Sequence, residues 1–175
     1  MNTKLVANAL SATHACLGIY LAMIEDYNKL KMVSTVYFLC DVIYILRRGY
    51  QSFLMQMAYI YHHVISVFIL LNYEKIFIPV IKNAFIWAEL SNLTTYIVYY
   101  YLHKEGDHSK KIKILRQIQM MVWIFVRVNV MSYYMILLYK RTERAPFYLT
   151  IPIYLMGISW TATITKQYFR KKLKN

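Results

Sequence analysis

Acidic residues, glycine, proline and cysteine are all scarce in this chain. Among its 175 residues there are 8 Asp and Glu, 4 Gly, 3 Pro and 2 Cys. With so few Gly and Pro, no linker or low-complexity segment divides the chain, and we expect a single domain. Cys16 and Cys40 both fall inside apolar segments. They are expected to be buried free thiols, and they offer no disulfide framework from which a compartment could be inferred.

Basic residues outnumber acidic ones, with 21 Lys and Arg and a formal net charge of +13. Such a charge would suit a nucleic-acid-binding protein, but no basic stretch is long enough to form a soluble binding module. The composition is instead 59% hydrophobic and 17% aromatic. Basic loops that flank apolar membrane spans account for the charge more simply, so we expect no nucleic-acid partner.

Six apolar segments run along the chain and are separated by short polar loops. Most have about 20 residues, the length that crosses the hydrocarbon core of a bilayer, and little of the chain remains for an extramembrane domain. We therefore predict an all-α membrane protein, a six-transmembrane-helix bundle or ring, with a single membrane domain over residues 5–172. Pro152 is expected to kink the last helix or to limit its regular start. The segments are Leu5–Ile24, Met32–Leu46, Gly49–Tyr73, Asn83–Leu102, Gln117–Tyr139 and Ala145–Thr165.

The loops on the side of the two chain ends carry more Lys and Arg than the loops on the opposite side. Cytoplasmic loops of membrane proteins are enriched in these two residues. The excess predicts a multi-pass protein with both termini in the cytoplasm. The abundant Ile, Lys, Asn and Tyr indicate an A/T-rich coding sequence. We expect the endoplasmic reticulum or another endomembrane as the location, or a host membrane for a viral chain.

Ionisable side chains interrupt five of the six segments at a similar depth. The third segment is the clearest case, because it holds no Asp, Glu, Lys or Arg and yet carries His62 and His63 near its centre. Unpaired charges at mid-membrane cost several kcal/mol each, so these groups are expected to face a shared interior. An ion pair of Arg127 with Glu89 or Asp41 is expected there. The interrupting residues are His14, Asp41, His62, Glu89 and Arg127.

Helical spacing extends this polar layer, because residues three or four apart share a helix face. Three such sets would line a polar pocket: Tyr59, His62 and Ser66; Tyr37, Asp41 and Tyr44; and Glu89, Asn92 and Tyr96. The candidate catalytic residues are His62, His63 and Asp41. The candidate lipid-binding or structural residues are His14, Tyr59, Ser66, Glu89, Ser91, Asn92 and Arg127. No metal site is expected, because adjacent histidines point about 100° apart on a helix.

Each candidate also has a purely structural interpretation. Polar side chains hold membrane helices together by interhelical hydrogen bonds, which would explain His14, His62 and His63. A structural ion pair is favoured over catalysis for Glu89 and Arg127. For a carboxylate such as Asp41, orienting an imidazole and bonding between helices are equally well supported.

Five short motifs, in this order, resemble the TLC family, named for the translocation-associated, longevity-assurance and ceroid-lipofuscinosis proteins. The similarity runs from Ser11 to about Lys172. The motifs are SATHA at 11–15, FLCDVIYIL at 38–46, the His62-His63 pair, AELSNLTTYI at 88–97 and FVRVNV at 125–130. They are similar to the family's Ser/Thr-His-Ala, Tyr/Phe-x-x-Asp, His-His, Glu-x-Ser/Thr and Phe-x-x-Arg elements. The resemblance implies a six-helix membrane fold.

The subfamily decides which function the resemblance implies. Ceramide synthases of this family carry the His-His pair with a later His-Asp-x-x-Asp motif, and they N-acylate sphingoid bases with acyl-coenzyme A. Here Glu89 and Ser91 stand in the place of the second motif. The pattern is closer to the short TLC-domain transmembrane proteins, whose implied roles concern membrane lipid homeostasis.

Three functions follow from this resemblance. We expect a protein that binds or regulates membrane lipids in an intramembrane polar chamber, without a cofactor. The first alternative is a lipid N-acyltransferase that uses the histidine pair, with acyl-coenzyme A as co-substrate. The second is a cargo receptor or chaperone-like membrane protein. Membrane lipids are the expected partners, and the sequence leaves the lipid and the oligomeric state open.

Overall fold

The computed structural model of the chain describes residues 3–48, 52–72, 80–106, 109–141 and 144–172, and these residues contain helices and no strand. The fold is therefore all-α. We number six long helices in chain order. They are α1 (Thr3–Met23), α2 (Tyr27–Arg48), α3 (Phe53–Asn72), α4 (Lys82–Glu105), α5 (Lys110–Tyr139) and α6 (Ala145–Lys172).

Four of these helices, α1, α3, α5 and α6, are long and apolar enough to cross a membrane. This finding indicates an integral membrane protein. Helices α2 and α4 are also long enough, with 22 and 24 residues, but they are more polar. Lys29 and Asp41 lie in α2, and Glu89 and Asn92 lie in α4.

The helices extend beyond most of the predicted segments. The second helix begins at Tyr27 instead of Met32, and the fifth begins at Lys110 instead of Gln117. The apolar pattern locates only the part of a helix that can lie in hydrocarbon. Backbone hydrogen bonding continues into the polar turns on either side. Pro152 lies inside α6, which remains helical on both sides of it. The predicted ends Gly49 and Tyr73 lie outside the described residues.

Each helix packs against two principal neighbours. Helix α1 contacts α2 and α4, α2 contacts α3, α3 contacts α6, α6 contacts α5, and α5 contacts α4. These contacts form a closed series in the order α1, α2, α3, α6, α5, α4. The packing of α3 against α6 is the sparsest of the six.

The close approach of α1 and α4 depends on a glycine. A Cβ atom at Gly18 would lie 3.0 Å from the ring of Phe85 in α4. Phe85 packs beside a cluster of buried residues that joins α1, α2 and α3 at the end of the bundle remote from the chain ends. That cluster is Leu21, Ala22, Leu30, Phe38 and Leu70.

Large apolar side chains cover the outside of the helices. Leu39, Phe53, Leu54 and Phe125 are each more than half exposed. A soluble protein rarely shows so large an apolar surface, whereas hydrocarbon solvates it well. Cys16 and Cys40 are free and exposed, which corrects the expectation that they are buried.

Helix α5 widens in its middle. The backbone is α-helical over Lys110–Trp123, forms a π-helix over Ile124–Val130, and returns to the α-helix over Met131–Tyr139. Short π segments inside α-helices are frequent at functional sites. Arg127 lies in the centre of this segment and is buried.

Candidate functional site

Asp41 of α2 and His63 of α3 form a short contact between two of the candidate residues. The Nε2 atom of His63 lies 2.8 Å from Oδ2 of Asp41, and the His63 side chain is 8% exposed. Since a carboxylate accepts hydrogen bonds, this contact favours the tautomer with its proton on Nε2. The other ring nitrogen, Nδ1, then keeps its lone pair. It is buried and has no hydrogen-bond partner among the described residues.

His62 is placed differently from its neighbour. Its ring centroid lies 5.2 Å from that of His63, and its side chain borders internal cavities. Its Nδ1 atom also lacks a partner within the described ranges. One turn further along α3, the hydroxyl of Ser66 donates to the backbone carbonyl of His62 at 2.7 Å.

Arg127 is held by α4 through three hydrogen bonds. Its Nε atom donates to the hydroxyl of Ser91 at 2.9 Å, and one terminal nitrogen, Nη2, donates to Asn92 Oδ1 at 2.8 Å and to the carbonyl of Ala88 at 3.1 Å. The guanidinium also lies 5.0 Å from the ring centre of Trp123. The indole of Trp123 donates to the carbonyl of Ser91 at 2.9 Å.

These contacts correct the expected ion pair of Arg127 with Glu89 or Asp41. In the described part of the chain, neither carboxylate forms an ion pair with Arg127. Asn92 lies between Arg127 and Glu89, because its Nδ2 donates to Glu89 Oε2 at 3.2 Å while its Oδ1 accepts from Arg127. Asp41 pairs with His63 instead. The packing of α5 against α4 brings Arg127 to hydroxyl and amide groups that α4 already carries.

His14 lies apart from the other candidates. Its Nε2 atom is 3.1 Å from the hydroxyl of Ser34, and its ring stacks on Tyr37 with centroids 3.9 Å apart. The Tyr37 hydroxyl donates to Ser11 at 2.8 Å. His14 is 5% exposed and borders neither of the cavities described below. This arrangement suits a structural contact between α1 and α2.

Two cavities lie inside the helices, one toward each end of the bundle. The proximal chamber, of about 620 Å³, is on the side of the chain ends, where Lys4 and Arg116 lie, and its deeper wall includes Asp41 and His63. The candidate Tyr59 and the predicted face residues Tyr37, Tyr44 and Tyr96 also line it. This chamber combines charged, amide and tyrosine groups.

The distal chamber, of about 180 Å³, extends toward the opposite end of the bundle. Its wall is mainly apolar. The polar residues of its inner end include His62, Ser66, Glu89, Asn92 and Arg127. The outer part is lined by apolar residues such as Leu70, Ile81, Met135 and Leu138, together with Tyr134 and Thr150. The buried Ser91 accepts a hydrogen bond from Arg127 but does not itself border the chamber.

Three residues border both chambers and form a wall between them: His62, Asn92 and Trp160. Trp160 of α6 stacks on Tyr59 of α3 with ring centroids 5.0 Å apart. The same pair of helices is joined by a hydrogen bond from the Tyr61 hydroxyl to the carbonyl of Leu149 at 3.2 Å.

Sequence reasoning missed Trp123 and Trp160. Trp123 precedes Arg127 by four residues, so helical spacing places the two on one face, and that spacing could have revealed it. Trp160 has no such signal, since its position depends on how α6 packs. Among the described residues, no group of three or more His, Cys, Asp and Glu could hold a metal ion.

The fold and the cavities define an all-helical membrane protein with a partly polar interior. Comparison of the chain with protein-family models, with curated proteins and with solved structures finds no match.

Proposed function

We propose that this chain is a TLC-type membrane protein that binds a lipid in its interior and thereby takes part in membrane lipid homeostasis. The observation that carries this proposal is the pair of adjoining chambers. A cavity of several hundred Å³ that combines an apolar wall with a few polar groups is the usual form of a small-molecule site, and the proximal chamber, of about 620 Å³, has that size. A site of this kind, enclosed by helices with apolar outer surfaces, suits a ligand that reaches it from the membrane.

The proposed architecture is a ring of six spans with both ends in the cytoplasm. The closed series of helix contacts supports the ring, and the surplus of Lys and Arg on the side of the chain ends supports the orientation. Glycosylation tags at each terminus and after Gly106, in the loop between α4 and α5, test it. All three tags are expected to stay unmodified, and modification of any of them would contradict this orientation.

Lipid binding is tested by identifying the lipids that remain bound to the purified full chain. Mass spectrometry of the extract is expected to show lipid in the wild type and less in Ala84→Phe, because Ala84 lines the distal chamber and the new ring would fill it. The matched control is Ala162→Phe, since Ala162 is exposed on α6. Equal lipid content in all three proteins would argue against binding in the chamber.

The same proteins serve to test the role in the cell. Expression of the wild type is expected to change the lipid composition of the host membrane, whereas Ala84→Phe is expected to change it less than Ala162→Phe. An unchanged lipidome, together with no bound lipid, would defeat the lipid proposals and leave the cargo-receptor alternative.

A lipid N-acyltransferase is the second candidate, and the contact of Asp41 with His63 favours it. In such a reaction Nδ1 of His63 would take a proton from the amine of the acceptor lipid while the amine nitrogen attacks the thioester carbonyl of acyl-coenzyme A. The C–S bond breaks, an amide forms, and the proton passes to the departing thiolate. Asp41 would hold the imidazole in the required tautomer.

Acyl transfer is tested with the purified chain, sphingoid bases and a panel of acyl-coenzyme A donors. The enzyme candidate requires product from the wild type, a loss of product in His63→Ala, and a smaller effect in His14→Ala, because His14 borders neither chamber. The absence of product with every donor, in a protein that retains lipid, would leave the binding function alone.

A further inference from the structure

The inner end of the distal chamber contains the buried side chains of one basic and one acidic residue. Arg127 is 8% exposed and Glu89 is 7% exposed, and Asn92 links them by hydrogen bonds to both. The formal charges of the two side chains cancel. A ligand with a charged headgroup would add an uncompensated charge at the depth where such a charge costs several kcal/mol.

The two charged residues still offer hydrogen bonds to a ligand. The second terminal nitrogen of Arg127, Nη1, makes no hydrogen bond to a described residue, and neither does Glu89 Oε1. Gly157 leaves space beside this nitrogen, since a Cβ at Gly157 would lie 3.9 Å from it. The site therefore presents one donor and one acceptor, which a hydroxyl group can satisfy together because it both accepts and donates.

The rest of the chamber sets the size of the ligand. One water-sized group occupies about 10–15 Å³ of such a volume, so the cavity of about 180 Å³ holds roughly 12 to 18 of them. Methylene groups are of similar size. Along α5 the chamber extends from Arg127 to Leu138, a rise of roughly 15 Å. These dimensions give room for one alkyl chain inside the chamber and none for a second.

We propose that the distal chamber binds a neutral, single-chain lipid with a hydroxyl headgroup, of the long-chain alcohol or monoacylglycerol class. Its hydroxyl lies between Arg127 and Glu89, and its alkyl chain runs past Met135 toward Leu138 and Leu70. The inference rests on the proposed lipid-binding function and names the lipid class for one of the two chambers.

The experiment compares four probes that share an eight-carbon chain with a photoreactive diazirine and differ only in the headgroup: an alcohol, a monoacylglycerol, a carboxylate and an amine. The full chain is reconstituted in lipid nanodiscs, and empty nanodiscs correct for partitioning into the bilayer. Cross-linked residues are mapped by mass spectrometry. The alcohol and the monoacylglycerol are expected to label Leu70, Met135 or Leu138 with at least about tenfold higher affinity than the carboxylate or the amine.

A single substitution is expected to change this preference. Glu89→Gln removes the negative charge and leaves Arg127 uncompensated, so the carboxylate probe should gain about tenfold in affinity over the wild type, or about 1.4 kcal/mol. The matched control is Glu105→Gln, at the exposed end of α4. It should bind the four probes in the same order of affinity as the wild type. Size-exclusion chromatography and helix content verify that each variant is folded.

The wild-type order of the four probes decides the question even if Glu89→Gln fails to fold. Preference for the carboxylate or the amine at the distal residues would overturn the inference, and so would labelling that is confined to the proximal chamber. In either case the proposed lipid-binding function would stand. Only the failure of all four probes to label the interior, together with the absence of copurified lipid, would contradict both the inferred lipid class and the proposed lipid-binding function.

Discussion

Asp41 and His63 join α2 to α3 through a single hydrogen bond of 2.8 Å, and His62, the preceding residue in the chain, takes no part in it. The two adjacent histidines therefore have separate positions. His63 is fixed by a carboxylate within the wall of the proximal chamber, whereas His62 stands between the proximal and distal chambers. Two adjacent histidines of one helix can thus contribute to different chambers.

The contact between Asp41 and His63 is expected to contribute measurably to stability. Asp41→Asn keeps an acceptor for the Nε2 proton and should cost about 1 kcal/mol of unfolding free energy. Asp41→Leu leaves that proton without its Asp41 partner in a mostly buried position and should cost about 1–3 kcal/mol. Thermal unfolding in one detergent measures both variants. A smaller loss for Asp41→Leu than for Asp41→Asn would show that the hydrogen bond does not stabilise the fold.

Removal of the Arg127 guanidinium should be the most damaging of these changes. Arg127→Met deletes three hydrogen bonds to α4, each worth about 1.5–3 kcal/mol with a charged donor, and it also removes the positive charge that balances Glu89. The double variant with Glu89→Gln should recover part of the loss, because the isolated charge is gone. Arg170→Met, at an exposed position of α6, is the control. If the double variant is no more stable than Arg127→Met, the Glu89 charge does not contribute to the loss of stability.

Gly18 is expected to tolerate alanine less well than Gly157. At Gly18 the added methyl group would meet the Phe85 ring at 3.0 Å, whereas at Gly157 the nearest atom, Cδ of Arg127, is 3.4 Å away. Overpacking of the first kind costs about 1–3 kcal/mol, since Phe85 is held by the cluster around Leu21. Gly157→Ala should be close to neutral. Unfolding temperatures in the same detergent compare the two, and equal losses would contradict the close approach of α1 to α4.

Glu25 and Lys82 provide a pH-dependent contact outside the membrane spans. Lys82 Nζ lies 2.8 Å from Glu25 Oε1. The hydrogen bond that Lys82 donates, together with its charge, lowers the pKa of Glu25, and the same hydrogen bond raises the pKa of Lys82. The contact is lost when the pH falls through the lowered pKa of Glu25, and also when it rises through the raised pKa of Lys82.

NMR titration of the Glu25 carboxyl carbon tests this expectation. Its pKa should lie below the ordinary glutamate value in the wild type and return toward that value in Lys82→Gln. Lys29→Gln is the control, because Lys29 pairs with Asp26 instead. A Glu25 pKa that does not change in Lys82→Gln would show that the two side chains are apart in the membrane-bound protein.

The sequence predicts helices well where they are apolar enough to cross a membrane, because hydrocarbon imposes a simple requirement on each such helix. An apolar run must be long enough to cross the bilayer, and its backbone must be helical to satisfy its own hydrogen bonds. The predicted Ala145–Thr165 and the observed Ala145–Lys172 share their start for this reason. The extension to Lys172 was not predicted, because the polar last turn continues the helix without adding to the apolar pattern.

The hydrogen-bond partners of the site residues were less predictable than the helices. Helical spacing correctly grouped Glu89 with Asn92, which are hydrogen bonded, because both belong to one helix. The partner of Arg127 depends on how far α5 is rotated about its axis, and the π-helix at Ile124–Val130 alters that rotation. Pairing by charge alone pointed to Glu89 or Asp41, and it overlooked the serine, amide and carbonyl groups of α4.

The wall of His62, Asn92 and Trp160 also has a consequence for the membrane itself. A continuous wet passage from one end of the bundle to the other would let protons leak and would dissipate the gradients that a cell maintains. In the described part of the chain the two chambers meet at these three side chains, and the indole of Trp160 is braced by Tyr59. These three side chains are therefore the positions at which such a passage must be interrupted if the gradients are to stay intact.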